Sequence, residues 1–116
     1  MDAQDDASNK RTRIIAELND RLRQNGSGGQ VYVTRGVAAQ GPAFVLEARR
    51  AVRAFDTFTP DNNPYGERDF GALEVGGQKL FWKVDYYDPT LTWGSEDPSD
   101  PQRTCRVLTI MLAEEY

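Results

Sequence analysis

Apolar residues recur at helical spacing from the first tens of positions. Ile14, Ile15, Leu18 and Leu22 share one side, while Lys10, Arg11, Arg13, Asp20, Arg21 and Arg23 supply a wet side. This predicts an amphipathic helix with its N-cap at Ser8 or Asn9, ending near residue 25, where Gly26-Ser27-Gly28-Gly29 breaks the pattern. A short strand is expected at 30–34, with Val31 and Val33 facing one way and Tyr32 the other. A second helix is expected over 42–55. Pro42 suits its first position, and Phe44, Val45, Ala48, Ala51, Val52 and Phe55 form its apolar stripe.

Beyond residue 69 the periodicity changes from helical to alternating. Residues 70–75, the pair Gly76-Gly77 and residues 78–87 predict a two-strand hairpin, because paired glycines accept the positive φ that a tight turn needs. On the second arm Leu80, Trp82, Val84 and Tyr86 fall on one face and read as core. Lys79, Phe81, Lys83, Asp85 and Tyr87 fall on the other, where rings alternate with charges. A last strand is expected over 104–113, and its run Val107-Leu108-Thr109-Ile110-Met111-Leu112 reads as central and covered on both faces. Two polar stretches, 56–69 and 88–103, contain prolines, asparagines and aspartates and are expected to be irregular. The fold expected is α+β, two helices packed on a largely antiparallel four-stranded sheet in the order α-β-α-β-β-β, with 1–8 a flexible N-terminus and 9–116 one domain.

Length and composition narrow the chemistry. A chain of 116 residues buries enough surface for one core. There is one cysteine, Cys105, and no histidine, so the chain has no internal disulfide, no thiolate or imidazole zinc site, and no Ser-His-Asp or Cys-His relay. No apolar run has the length of a membrane span, and the amino end is acidic and polar; a cytoplasmic protein without a membrane partner is expected. Charge is divided along the chain: residues 1–55 sum to +3 and residues 56–116 to −7. An acidic second half disfavours nucleic acid and favours a protein with a basic surface, and oppositely charged halves permit a homodimer.

No phosphate-binding glycine motif is present. Asp61, Asn63 and Gly66 begin like a calcium loop, but position twelve of that register is Ala72 in place of a bidentate glutamate, which excludes it. Neither a catalytic residue, a metal nor a cofactor is assigned. The candidate binding residues are Phe81, Lys83, Asp85 and Tyr87 on the hairpin, Trp93, and the acids Asp61, Glu67, Asp69, Glu96 and Asp97, with Tyr65 and Asp100 beside them. Aromatic anchors among a few charges are the composition of many recognition surfaces. The structural alternatives are an open, solvated face on which Lys83 pairs with Asp85, or a partly covered face on which both charges pair with neighbours.

Several blocks carry a family resemblance: Thr34-Arg35-Gly36, Phe58-Thr59-Pro60-Asp61-Asn62-Asn63-Pro64 with Gly66-Glu67 and Asp69-Phe70-Gly71, Phe81-Trp82-Lys83-Val84-Asp85-Tyr86-Tyr87-Asp88, Ser95-Glu96-Asp97-Pro98, and Arg106 to Ala113 with Glu115-Tyr116. Together, over residues 10–116, they resemble the proteins grouped as domain of unknown function 3768, small proteins carried mainly by alphaproteobacteria and often by plasmids. The resemblance transfers no activity residue by residue. Its mobile-element setting implies an accessory, anti-defence role. The function expected is a small acidic, non-enzymatic binding or inhibitory protein of a mobile element, acting on a host defence or nucleic-acid-processing complex in an anti-CRISPR-like or anti-restriction-like manner. The alternative is a small carboxylate-dependent hydrolase or metal-assisted enzyme using Asp61, Glu67, Asp69 and Asp85. A weaker alternative is nucleic-acid binding through Arg21, Arg23, Arg49, Arg50 and Arg53.

Overall fold

The computed structural model describes residues 3–116, with side chains from Asp6 onward. Helix α1 spans Ala3–Asn25, strand β1 Gly29–Val33, a single-turn helix α2 Arg35–Ala38 and helix α3 Pro42–Ala54. Strands β2 (Phe70–Val75), β3 (Gln78–Tyr87) and β4 (Cys105–Leu112) follow, and a 3₁₀ turn over Ala113–Glu115 ends the chain. Residues 3–8, expected as part of a flexible N-terminus, lie in the opening turns of α1, so Ser8 and Asn9 sit inside the helix and not at its cap. No helix among the described residues is long and apolar enough to cross a membrane.

The four strands form one sheet in the order β1-β4-β3-β2. The hairpin forms with the expected bounds, and Gly76 and Gly77 take φ of 56° and 79°. Two features of the expected architecture are corrected. The sheet is mixed, because β1 pairs in parallel with β4 while the β2–β3 and β3–β4 pairs are antiparallel. There are three helices, because Thr34 accepts from the Val37 amide through its side chain and starts a turn that buries Val37. Such a turn is too short to leave a periodic signal.

All three helices supply the core on one face. Leu22 of α1, Val37 of α2, and Ala48 and Val52 of α3 cluster with Leu80, Trp82, Val84, Leu108, Ile110 and Leu112. These strand residues are the inward set of the alternation, so the helices lie on that side of the sheet. Arg23 joins α1 to α3. Its Nη1 donates to the carbonyls of Val52, Arg53 and Phe55 at 3.0, 3.1 and 2.7 Å, at the end of α3 where carbonyls run short of helical donors; the Val52 carbonyl also accepts from the Phe55 amide. Its guanidinium also lies 5.5 Å from the Trp82 ring. The proposed basic face thereby loses Arg23, which is buried.

β4 is central as expected, but it is covered on both faces only at its end: Ile110, Met111 and Leu112 are buried, whereas Val107 and Thr109 are half-buried on the outward face.

Candidate functional site

The outward face of the sheet is built by strand parity. Phe81 stands opposite Ala72 and Met111, Lys83 opposite Phe70 and Thr109, Asp85 opposite Val107, and Tyr87 opposite Cys105. Lys83 Nζ pairs with Asp85 Oδ2 at 2.8 Å, two residues apart on one face, and both side chains keep about a third or more of their exposure. The Asp85 carboxylate holds the Lys83 ammonium above its ordinary range. Phe70, Phe81 and Tyr116 make a three-ring cluster with centroids 5.2, 5.4 and 5.9 Å apart. Tyr116 reaches it because Glu115 turns the chain back: its carboxylate accepts from Thr34 Oγ1 at 2.6 Å, from the Gly36 amide at 3.1 Å and from the Leu112 amide at 2.8 Å.

The 56–69 segment closes one side of this face, and its own side chains shape it. Asn62 accepts from the Thr59 amide and donates to the Thr57 carbonyl, while Asn63 accepts from the Arg68 amide. Arg68 takes a positive φ of 52° and pairs with Asp20 of α1 at 2.7 Å. A groove of about 350 Å³ results, lined by Tyr65 and Asp69 of this segment, by Phe70, Lys83 and Asp85 of the sheet, and by Tyr116.

The 88–103 segment is also shaped internally. Asp88 Oδ1 accepts from the amides of Thr92 and Trp93 at 3.0 and 3.2 Å, which holds its carboxyl below the usual range. That corner displays Trp93, 73% exposed, and Leu91, 48% exposed at a φ of 60°. Trp93, Asp88, Glu96 and Arg103 border a second groove of about 310 Å³.

A buried polar network fixes both segments from below. Arg106 is 1% exposed, and its Nε donates to Asn19 Oδ1 at 2.9 Å. Its Nη2 donates to the Pro98 carbonyl, and its guanidinium lies 5.2 Å from the Tyr86 ring. Asn19 Nδ2 donates to the Glu67 carbonyl at 3.0 Å and to Tyr86 Oη at 2.8 Å, and Tyr86 Oη donates to Glu67 Oε1 at 2.8 Å. Burial pushes the Tyr86 phenol far above its ordinary value, so it stays neutral and donating. Burial also lowers Arg106, which a guanidinium tolerates without losing its charge at neutral pH.

The candidate residues therefore divide. Asp69, Lys83 and Asp85 line the first groove, with Phe81 against its Tyr116 wall. Tyr87 is outward and half-buried farther along β3. Trp93 and Glu96 belong to the second groove, where Glu96 pairs with Arg103 at 2.7 Å. Asp97 is bound into a turn by Ser99 and pairs with Arg11 at 3.2 Å. Glu67 is engaged by Tyr86, and Asp61 is exposed in the turn over 60–62, outside the first groove. Of the four carboxylates the enzymatic alternative needs, two share a groove. Among the described residues no three His, Cys, Asp or Glu side chains are grouped to hold a metal ion. Phe70 and Tyr116 are missed by sequence reasoning: Phe70 reads as an ordinary strand residue, and nothing in Glu114-Glu115-Tyr116 signals a turn back over the sheet.

Asp69 is the unusual acid. It is half-buried, and burial raises its pKa; a hydrogen bond from its own backbone amide works against this, while Glu67 and Asp85 push upward, and the net direction is up. A carboxyl whose folded pKa exceeds its unfolded one stabilises the fold when protonated and disfavours it when ionised. Asp69→Asn is therefore expected to melt above the parent at pH 7, with the difference closing as pH falls below about 4, the ordinary aspartate range. Thermal unfolding across that pH span measures it; a melting temperature below the parent's at pH 7 contradicts the assigned environment.

No curated protein and no solved structure matches the chain. A family model does, over residues 33–115, which include β1's last residue, the whole hairpin and all of both grooves except Tyr116. The chain belongs to the family described as protein of unknown function DUF3768.

Proposed function

We propose that this chain is a non-enzymatic binding protein that docks its open sheet face on a basic surface of a partner protein. One observation carries the reading: α1, α2 and α3 pack on the inward face, leaving Phe70, Phe81, Lys83, Asp85 and Tyr87 on a face that, among the described residues, only the 3₁₀ turn and Tyr116 cover, at one end. The irregular segments that flank the sheet are acidic, although Asp97 is drawn to the helix side by Arg11 of α1. Residues 56–69 hold four acids against one arginine, residues 88–103 hold four against one, and Glu114 and Glu115 stand at the end. Part of that charge is already engaged, since Asp88, Asp97 and Asp100 bind backbone amides of their own turns. Attraction thus speeds the encounter, while the rings supply the buried contact that holds it.

A basic groove built for nucleic acid is the kind of surface that fits, which agrees with an inhibitory role against a defence or nucleic-acid-processing complex. The test is capture of a partner by the parent and by Phe81→Ala/Tyr87→Ala, followed by association kinetics on the purified pair. Losing two central rings is expected to weaken binding by about thirtyfold, equivalent to about 2 kcal/mol. Association should slow severalfold as ionic strength rises from about 0.05 to 0.5 M. A salt-insensitive association rate, or full affinity in the double variant with its fold intact by circular dichroism, overturns the reading.

A further inference from the structure

The groove between the 56–69 segment and Tyr116 has a composition more specific than a docking face requires. Two carboxylates enter it, and they are not equivalent. Asp85 has Lys83 as its partner, whereas Asp69 makes no salt bridge among the described residues. Asp69 is half-buried with two further acids close enough to act on it, Glu67 and Asp85. A carboxylate held by a backbone amide but by no cation gains from a cation brought against it, because the low-dielectric wall weakens solvent screening. Tyr65, Phe70 and Tyr116 supply ring faces or edges around the same space.

We propose that this groove seats the side chain of an arginine presented by the partner, its guanidinium against Asp69 and its stem among the aromatic rings. The inference rests on the binding reading above and names the group that the groove recognises. A guanidinium is planar, weakly hydrated, able to bind a carboxylate through two parallel N–H groups and able to lie along an aromatic face. A hard divalent ion fits poorly, since it wants six or more oxygens and, of the two carboxylates here, one is already held by Lys83. A primary ammonium fits less well than a guanidinium, because it is strongly hydrated and Lys83 already places one beside Asp85. The volume, about 350 Å³, is at the small end of ligand sites and suits one long side chain entering from an open face.

The experiment is a titration of the full chain, followed by amide chemical shifts, with acetyl-Gly-Arg-Gly-amide and separately with acetyl-Gly-Lys-Gly-amide. Expected are saturable shifts confined to residues 62–70, 83–85 and 116, with a dissociation constant in the low millimolar range, on the order of 4 kcal/mol, for a lone side chain. The lysine peptide should bind at least about threefold more weakly. Asp69→Asn should weaken the arginine peptide about tenfold. Tyr65→Ala, at a position 82% exposed and therefore neutral for folding, should weaken it severalfold. Shifts centred elsewhere, equal binding of the two peptides, or no effect of Asp69→Asn overturns the assignment. If the peptides fail while Phe81→Ala/Tyr87→Ala still abolishes partner capture, the arginine seat falls and the docking face stands; the opposite pair of results removes the docking face alone.

Discussion

Asn19→Leu is expected to destabilise the protein by about 3–5 kcal/mol, more than Arg106→Met, although it replaces a buried amide by a residue that suits a core. Removing Asn19 leaves the Nε of a charged, 1% exposed guanidinium without its acceptor. It also strips a donor from the Glu67 carbonyl and from Tyr86 Oη. Removing Arg106 leaves Asn19 Oδ1 and the Pro98 carbonyl short of a donor and takes a nearby cation from Glu67, which keeps its hydrogen bond from Tyr86, a loss of about 1–3 kcal/mol. With both replaced the buried guanidinium without an acceptor is gone, so Asn19→Leu/Arg106→Met should be more stable than Asn19→Leu alone. Urea unfolding of the four proteins measures the cycle; additive losses, or Arg106→Met as the worse single change, would refute the account. Stabilities of small domains lie at about 5–15 kcal/mol, so the worst single variant approaches the limit of folding.

The second large effect is steric. A Cβ on Gly71 would stand 2.3 Å from Trp82 Nε1, 2.7 Å from Trp82 Cε2 and 2.8 Å from Phe55 Cζ. Trp82 is fully buried and packs edge-on against Phe55 and Phe58 at 5.6 and 6.2 Å, so the indole has no room to retreat, whereas Phe55 is only half-buried. Gly71→Ala should therefore cost about 3 kcal/mol, the upper range of overpacking for a single methyl. Trp82→Leu removes both indole atoms and with them a buried N–H that has no acceptor. In that background Gly71→Ala should cost at least about 1 kcal/mol less than in the parent, with the Phe55 contact keeping the relief partial. Melting curves of the four proteins decide it, and an undiminished penalty in the Trp82→Leu background would show that the indole is not the obstacle.

Local patterns made the hairpin legible because its signals are local: alternation along each arm and two glycines between them. The inward set Leu80, Trp82, Val84 and Tyr86 followed from the same parity. Strand direction did not, since the alternation of Val31, Tyr32 and Val33 is the same whether β1 runs parallel or antiparallel to its neighbour. The parallel pairing is decided by how α2, α3 and the hairpin carry the chain back to β4. Arg106 left an unused signal: it shares parity with Leu108 and Ile110, and a charge on the inward side of a central strand calls for a buried partner. That partner, Asn19, lies on a helix whose apolar stripe points to its neighbours Leu18 and Leu22 instead. The acids of 88–103 were legible as charges but not as turn-formers, because Asp88 and Asp97 act through backbone amides whose positions only the folded loop defines.

Asn19 meets the 56–69 segment through Glu67 and reaches the 88–103 segment through Arg106 and Pro98. One amide side chain on α1 thus governs the alignment of two edges that are far apart in sequence. The entropy of arranging those edges is lost during folding, so under the proposed docking reading a partner would meet a finished mould, and the lifetime of that complex would be governed by its contacts and not by loop closure.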